Sequence, residues 1–201
     1  MGHLDLSCRP GHVCILGGTG NGSLSFSQQR RRTTDVTSVT TTGHEHHERI
    51  IAMIDGLPAL ADMLDERPRP DRFEDRFDSL FAFVNGTLVP HMDMVESTLY
   101  PELDRLMQNR HSMAQMRREH ESIRGLIERL GTFGQAIKAD ALGPAGSMGL
   151  RRVLYRLYAM LKVHIAEEEE YLRVLEHNLS EDEQAELARG LEHATAEPLS
   201  L

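Results

Sequence analysis

The sequence has little cysteine and no tryptophan. Its two cysteines, Cys8 and Cys14, both lie near the N-terminus. They cannot form a disulfide framework, and on their own they cannot supply a four-ligand zinc site. The N-terminus also lacks a basic segment followed by a long apolar one, so no secretory signal is evident. These absences predict a reduced, cytoplasmic protein.

Long apolar runs and an excess of positive charge are also missing. No uninterrupted apolar run approaches the roughly 20 residues that span a bilayer, so we expect no membrane partner. The 201 residues carry a formal net charge of -9, whereas a protein that binds nucleic acid needs a basic surface. With 40% hydrophobic and 26% charged residues, the composition is typical of one globular domain.

Aromatic residues are scarce and histidines are abundant. Aromatics make up 5% of the chain, which suits a helical bundle built from leucine, isoleucine and methionine. The 11 histidines need a separate explanation, and their positions supply it.

The first 42 residues differ from the rest in composition. They are rich in glycine, serine, threonine and arginine, which predicts a disordered N-terminal extension over residues 1–42. Within it, residues 13–22 look like a strand running into a glycine-rich dinucleotide loop. That motif needs a following helix and a second strand, and neither pattern follows. We therefore favour an extension with no folded role over a nucleotide site.

From residue 43 onward, apolar residues recur at helical spacing in four successive segments. Pro58 and Pro90 fall inside the first two segments and predict kinks there. A short last helix starts at Ser180, where Glu183 completes a capping box. The pattern predicts an all-α, up-down-up-down four-helix bundle over residues 43–195 that includes this short C-terminal helix.

Each of the four helical stripes contains one histidine at a position that faces the predicted core. These are His47, His91, His120 and His164, separated by 44, 29 and 44 residues. In an antiparallel bundle the repeated spacing can bring four imidazoles to one level. One such histidine is more often a hydrogen-bonded core residue than a ligand. Four desolvated imidazoles with few partners are costly, however, and metal ligation satisfies one nitrogen of each ring.

Two glutamates are the candidate carboxylate ligands. Glu168 lies one helical turn after His164 on the same apolar stripe, where an unpaired carboxylate is strongly disfavoured. On the second helix, the position one turn after His91 is Val95, which cannot bind metal. Glu96 follows at about 140° around the helix from His91, so it reaches the site only if the helix bends. Imidazole and carboxylate donors without thiolate suit iron, manganese or zinc.

Four motifs occur in order along the predicted bundle, over about residues 43–195. They are Glu45-His46-His47, then Val89-Pro90-His91 with Glu96 and Leu99-Tyr100-Pro101, then Glu119-His120 with Ile123, and His164 with Glu168-Glu169. With these motifs the sequence resembles the hemerythrin family, specifically the bacterial hemerythrin-like proteins with an HHE cation-binding domain.

This resemblance implies a centre of two non-haem iron ions, oxo- or hydroxo-bridged, with histidine terminal ligands and bridging carboxylates. The implied metal residues are His47, His91, Glu96, His120, His164 and Glu168. His46 and His44 are alternatives to His47 on the first helix. The usual second-helix carboxylate falls on Val95, where Glu96 is the possible substitute. For Tyr100, packing at a helix end is favoured over a place near the metal.

The resemblance also implies the function classes. We expect a protein that binds O2 or another small oxidant, diatomic or peroxide, in an oxygen, redox or iron stress response. One alternative is a di-iron enzyme that consumes hydrogen peroxide, as catalases do, or nitric oxide. Another is a bundle that holds zinc or iron without a redox role. The chain is expected to be a monomer or a homodimer.

Overall fold

Eight α-helices make up most of the part of the chain that the computed structural model describes, namely residues 38–66, 71–108 and 113–195. They are α1 (Val39–Ile54), α2 (Leu57–Asp62), α3 (Arg72–Phe83), α4 (Val89–Ser97), α5 (Leu99–Leu106), α6 (Ala114–Lys138), α7 (Pro144–Asn178) and α8 (Glu181–Thr195). A 3-10 turn (Met63–Asp65) extends α2, and a π-helical turn (Val84–Leu88) joins α3 to α4. No strand occurs in these ranges, which confirms the predicted all-α class.

Four helical segments form an antiparallel bundle: α1 with α2, α3 to α5, α6, and α7. Pairs of contacts show that neighbouring segments run in opposite chain directions. Helices α1 and α7 meet at His47 with Glu168 and at Asp55 with Lys162. The second segment meets α6 at Glu96 with His120 and at Asp78 with Lys138, and α6 meets α7 at His120 with His164 and at Phe133 with Gly149. This arrangement confirms the predicted up-down-up-down bundle.

The first helix begins earlier than the sequence pattern predicts. Helix α1 starts at Val39 rather than near residue 43, and the Ser38 side chain accepts a hydrogen bond from the Thr41 backbone N–H at 3.1 Å. Val39 is fully buried against the bundle. Packing of this turn therefore overrides the weak helix propensity of the threonine run. The rest of the predicted extension, including residues 13–22, lies outside the described residues.

Both predicted kinks appear as breaks in the helices. Helix α1 ends at Ile54, and α2 starts at Leu57 after two intervening residues, with Pro58 in its first turn. The π-helical turn ends at Leu88, and Pro90 lies in the first turn of α4. Proline lacks a backbone donor and so fits best where an intrahelical hydrogen bond is already missing. The second break comes directly before His91.

A buried polar layer separates two apolar clusters in the core. On α7, Leu161 and Ile165 belong to one cluster and Leu172 belongs to the other, with Glu168 between them. The layer consists of His46, His47, His91, His120, His164 and Glu168, all buried. The bundle thus places its few buried titratable side chains at one level.

Helix α8 packs against α1 and α4 at the end of the bundle beside this layer. It starts with the predicted capping box, in which the Ser180 N–H donates to the Glu183 carboxylate at 2.9 Å. Leu191 on its inner face is only 3% exposed. None of the described helices is both long enough and apolar enough to cross a bilayer.

Candidate metal centre

Two groups of buried donor atoms share the carboxylate of Glu168. Its Oε2 lies 3.2 Å from Nε2 of His47 and 3.2 Å from Nε2 of His91. Its Oε1 faces the other pair, at 4.0 Å from Nε2 of His120 and 3.7 Å from Nε2 of His164. Those last two nitrogens are 2.8 Å apart. Within each group the donor atoms lie within 4.8 Å of one another.

Each bundle segment supplies part of these groups. Helix α7 supplies His164 and Glu168, which lie one turn apart on its buried face. Helices α1, α4 and α6 each supply one histidine, at His47, His91 and His120. The groups therefore exist only when all four segments are packed together.

An outer ring of carboxylates orients three of the four imidazoles. Each Nδ1–H donates to a glutamate that is partly exposed: His47 to Glu169 at 2.7 Å, His120 to Glu96 at 2.6 Å, and His164 to Glu119 at 3.0 Å. Nε2 is then the nitrogen of each ring that faces Glu168. Metal-ligating histidines usually have this kind of outer partner, which fixes the tautomer and the ring orientation.

Glu119 and Glu169 are functional candidates whose role sequence reasoning missed. Each is next to a site residue in the chain, Glu119 before His120 and Glu169 after Glu168. In the sequence, this adjacency is the feature that could have pointed to their roles. It does not show that each glutamate reaches a histidine on a different helix.

Tyr100 belongs to the site, which corrects the expectation that it only packs at a helix end. The ring is 1% exposed, and the hydroxyl donates to Oε1 of Glu168 at 2.7 Å. The Tyr100 hydroxyl oxygen also lies 3.2 Å from Nε2 of His120. Burial and the charge of Glu168 both raise the pKa of Tyr100 above its ordinary value. The phenol therefore remains a protonated hydrogen-bond donor at neutral pH.

Burial and charge shift the pKa values of neighbouring groups in opposite directions. Burial alone would raise the pKa of Glu168, but hydrogen bonds with His47 and His91 hold it well below its usual range. Burial would lower the pKa of His47, yet hydrogen bonds with Glu168 and Glu169 raise it to about 9. Burial and the nearby His164 lower the pKa of His120 to about 4. At neutral pH the metal-free site thus keeps Glu168 charged, His47 protonated and His120 neutral, and a cation that binds at His47 must displace its proton.

A small apolar pocket borders one of the two donor groups. Its volume is about 10 Å³, roughly the space of one water molecule. His47, His91 and Glu168 line it, whereas His120 and His164 are not among the lining residues. Apolar walls come from Val95, Leu99, Leu103, Leu172, Leu175 and Leu191. Only ligands of a few atoms fit beside this donor group.

The family model of the hemerythrin HHE cation binding domain matches residues 39–175. The chain belongs to this family. The match starts at the first residue of α1 and ends on α7, so it spans all four bundle segments. No curated protein and no solved structure gives a significant match to the chain.

The HHE fold brings five of the six predicted metal residues into the two donor groups. Glu96 is the exception. Its carboxylate accepts hydrogen bonds from Nδ1 of His120 and, at 2.9 Å, from Arg124, outside both groups. On a regular helix, Glu96 lies about 140° around from His91 and so faces away from the donor groups. The π-helical turn ends before α4 begins, so it does not change this angle.

The three histidines near the start of α1, His44, His46 and His47, occupy different environments. His47 reaches Glu168, as described above. His44 is exposed and its Nδ1 lies 3.2 Å from Glu169. His46 is buried and lines the apolar pocket, and burial together with the nearby His91 lowers its pKa to about 3.

The donor groups fit metal ligation in both spacing and chemistry. Bonds of about 2.0–2.2 Å to one ion place neighbouring donors about 3.0–3.4 Å apart. The separations of 3.2 Å around Glu168 Oε2 and 2.8 Å between His120 and His164 are close to this range, whereas Glu168 Oε1 lies farther from His120 and His164, at 4.0 and 3.7 Å. Nitrogen and oxygen donors without thiolate suit iron, manganese or zinc.

Proposed function

We propose that this chain is a non-haem di-iron protein that binds O2 or another small oxidant. One observation carries the proposal: a single buried carboxylate, Glu168, presents one oxygen to each of two histidine pairs. A structural ion pair would need only one partner, whereas here four buried imidazoles converge on one carboxylate, which is costly unless their nitrogens bind a proton or a cation. Membership of the HHE family favours iron over manganese and zinc.

The residues divide into two ion positions in this proposal. His47 and His91 would hold one ion, His120 and His164 the other, and Glu168 would lie between them. Reduced iron would supply the electrons that O2 binding requires. Three protein donors at each position leave room for an external ligand.

The surrounding side chains hold the metal-binding imidazoles in place and exclude water from the site. Glu96, Glu119 and Glu169 hold the imidazoles through their Nδ1 atoms. Tyr100 keeps a proton on its hydroxyl beside Glu168. The apolar walls of the pocket exclude bulk water, which strengthens the electrostatic interactions inside the site.

The test is to produce the full chain with iron, then measure iron per chain and the absorption spectrum in air. We expect two irons per chain and a charge-transfer band in the near-ultraviolet or visible range. His164→Ala and Glu168→Ala should lose iron, whereas His177→Ala, at an exposed position on the same helix, should retain it. Absence of stoichiometric iron in the wild type would overturn the proposal. Zinc in place of iron, with no such band, would indicate a bundle without a redox role.

A second measurement separates binding from turnover. The reduced, oxygen-free protein should change its spectrum on exposure to O2, and His164→Ala should not. Peroxide added to the iron-loaded protein should give no sustained O2 release. Sustained release that His164→Ala abolishes would instead place the protein among peroxide-consuming enzymes.

A further inference from the structure

His46 carries a buried nitrogen that the packing of the bundle leaves unsatisfied. The residue is 5% exposed, and its Nε2 has no hydrogen-bond partner among the described residues. Native structures rarely leave such an atom unpaired, because it loses its hydrogen bonds to water and gains none in return. A partner from outside the chain would remove this cost.

The position of His46 indicates what that partner is. The imidazole lines the same pocket of about 10 Å³ as His47, His91 and Glu168. Tyr100 also lines this pocket, but its hydroxyl already donates to Glu168. Both nitrogens of His47 are engaged by Glu168 and Glu169.

His91 supplies the other unpaired nitrogen beside this pocket, its Nδ1. Its opposite nitrogen, Nε2, is the one that contacts Glu168, so ligation through Nε2 would turn Nδ1 away from the ion. The rings of His46 and His91 are 4.8 Å apart. His46 is therefore a pocket residue that has an unpaired buried nitrogen and lies outside the two donor groups.

We infer that this pocket receives the small ligand of the centre, on the side of His47 and His91, and that His46 donates a hydrogen bond from Nε2 to it. The inference rests on the proposed function. The pocket volume, close to that of one water molecule, limits the ligand to the smallest molecules, and the N–H requires an oxygen or nitrogen acceptor. The apolar walls supply no competing hydrogen bond, so His46 would determine the orientation of the ligand.

Azide is a suitable probe because it is small, accepts hydrogen bonds and has an infrared stretch that responds to them. We would titrate azide into the iron-loaded, air-oxidised full chain and follow the absorption and the infrared band in H2O and D2O. Loss of one hydrogen bond in His46→Phe should weaken binding about tenfold. It should also remove the H2O–D2O shift of the band. His46→Gln, which keeps an N–H donor, should recover part of both effects.

Iron content separates this inference from the proposed function. Wild type, His46→Phe and the control His177→Phe should all hold two irons, and the control should bind azide as the wild type does. Unchanged azide affinity and an unchanged infrared shift in iron-loaded His46→Phe would overturn this inference alone. Loss of an iron in that variant would make His46 a ligand and also overturn it. Failure of the wild type to hold iron would overturn both proposals.

Discussion

At the scale of single residues, each donor at the centre is held by a neighbour on another helix. Glu168 contacts histidines from α1, α4, α6 and its own helix. His120 is held between Glu168 and Glu96, and Arg124 in turn holds Glu96 and Asp93. Such an outer shell fixes donor positions before a metal binds, which reduces the free energy spent on ordering them.

Tyr100 gives the first prediction at this scale. Tyr100→Phe removes the only hydroxyl that the described residues place on Glu168, and it leaves a buried carboxylate with one donor fewer. Hydrogen bonds to charged groups contribute about 1.5–3 kcal/mol, so we expect the iron-free protein to lose about 2 kcal/mol of unfolding free energy in urea. Tyr155→Phe is the matched control, because that exposed hydroxyl also donates to a carboxylate, Asp62. Its effect should stay within about 0.5 kcal/mol, and equal losses in both variants would contradict the assignment.

Glu96 gives the second prediction. The structure makes it the partner of His120 rather than a ligand, so Glu96→Gln should keep two irons per chain. Loss of such outer partners typically weakens metal affinity by about 10- to 100-fold, and competition with a chelator would measure this. Asp93→Asn is the control, because Asp93 shares Arg124 but does not contact His120. One iron per chain in Glu96→Gln would instead make Glu96 a ligand.

At the scale of helices, α1 and α7 approach each other closely beside the centre. A Cβ atom added at Gly43 on α1 would lie 2.4 Å from a methyl carbon of Leu172 on α7. Glycine weakens a helix, so its presence inside α1 requires a compensating reason. The close approach supplies one, and Gly43 also lines the small apolar pocket beside Glu168.

Two glycine substitutions test this close approach. Gly125 lies inside α6 with nothing within 4 Å of an added Cβ. Gly125→Ala should raise the unfolding free energy by about 0.5–1 kcal/mol through helix propensity alone. Gly43→Ala gains the same propensity but must displace Leu172, and overpacking costs about 1–3 kcal/mol, so we expect a net loss. Urea unfolding of both variants measures the difference. Equal stabilisation would show that Leu172 moves aside freely.

At the scale of the whole molecule, the sequence predicts the bundle and most of the donor groups because each apolar stripe marks the buried face of its helix. A histidine on such a stripe must enter the core, so the placement of His47, His91 and His120 follows from periodicity. Tyr100 could not be placed this way, since its contact with Glu168 depends on how α5 meets α7. The early start of α1 was missed because Val39 is stabilised by packing and threonines are weak helix formers.

The last prediction concerns the coupling of metal to the stability of the fold. All four bundle segments supply donors, so the assembled site exists only in the folded chain and bound metal stabilises that state. At a free metal concentration about 1,000 times the dissociation constant, binding adds about 4 kcal/mol to the unfolding free energy. For a domain of this size, that raises the melting temperature by about 10 °C. Calorimetry with ferrous iron in the absence of oxygen, and then with a chelator, measures the shift. His164→Ala should abolish it and His177→Ala should not. A melting temperature that does not respond to metal would mean that the four segments are held together by their apolar clusters alone.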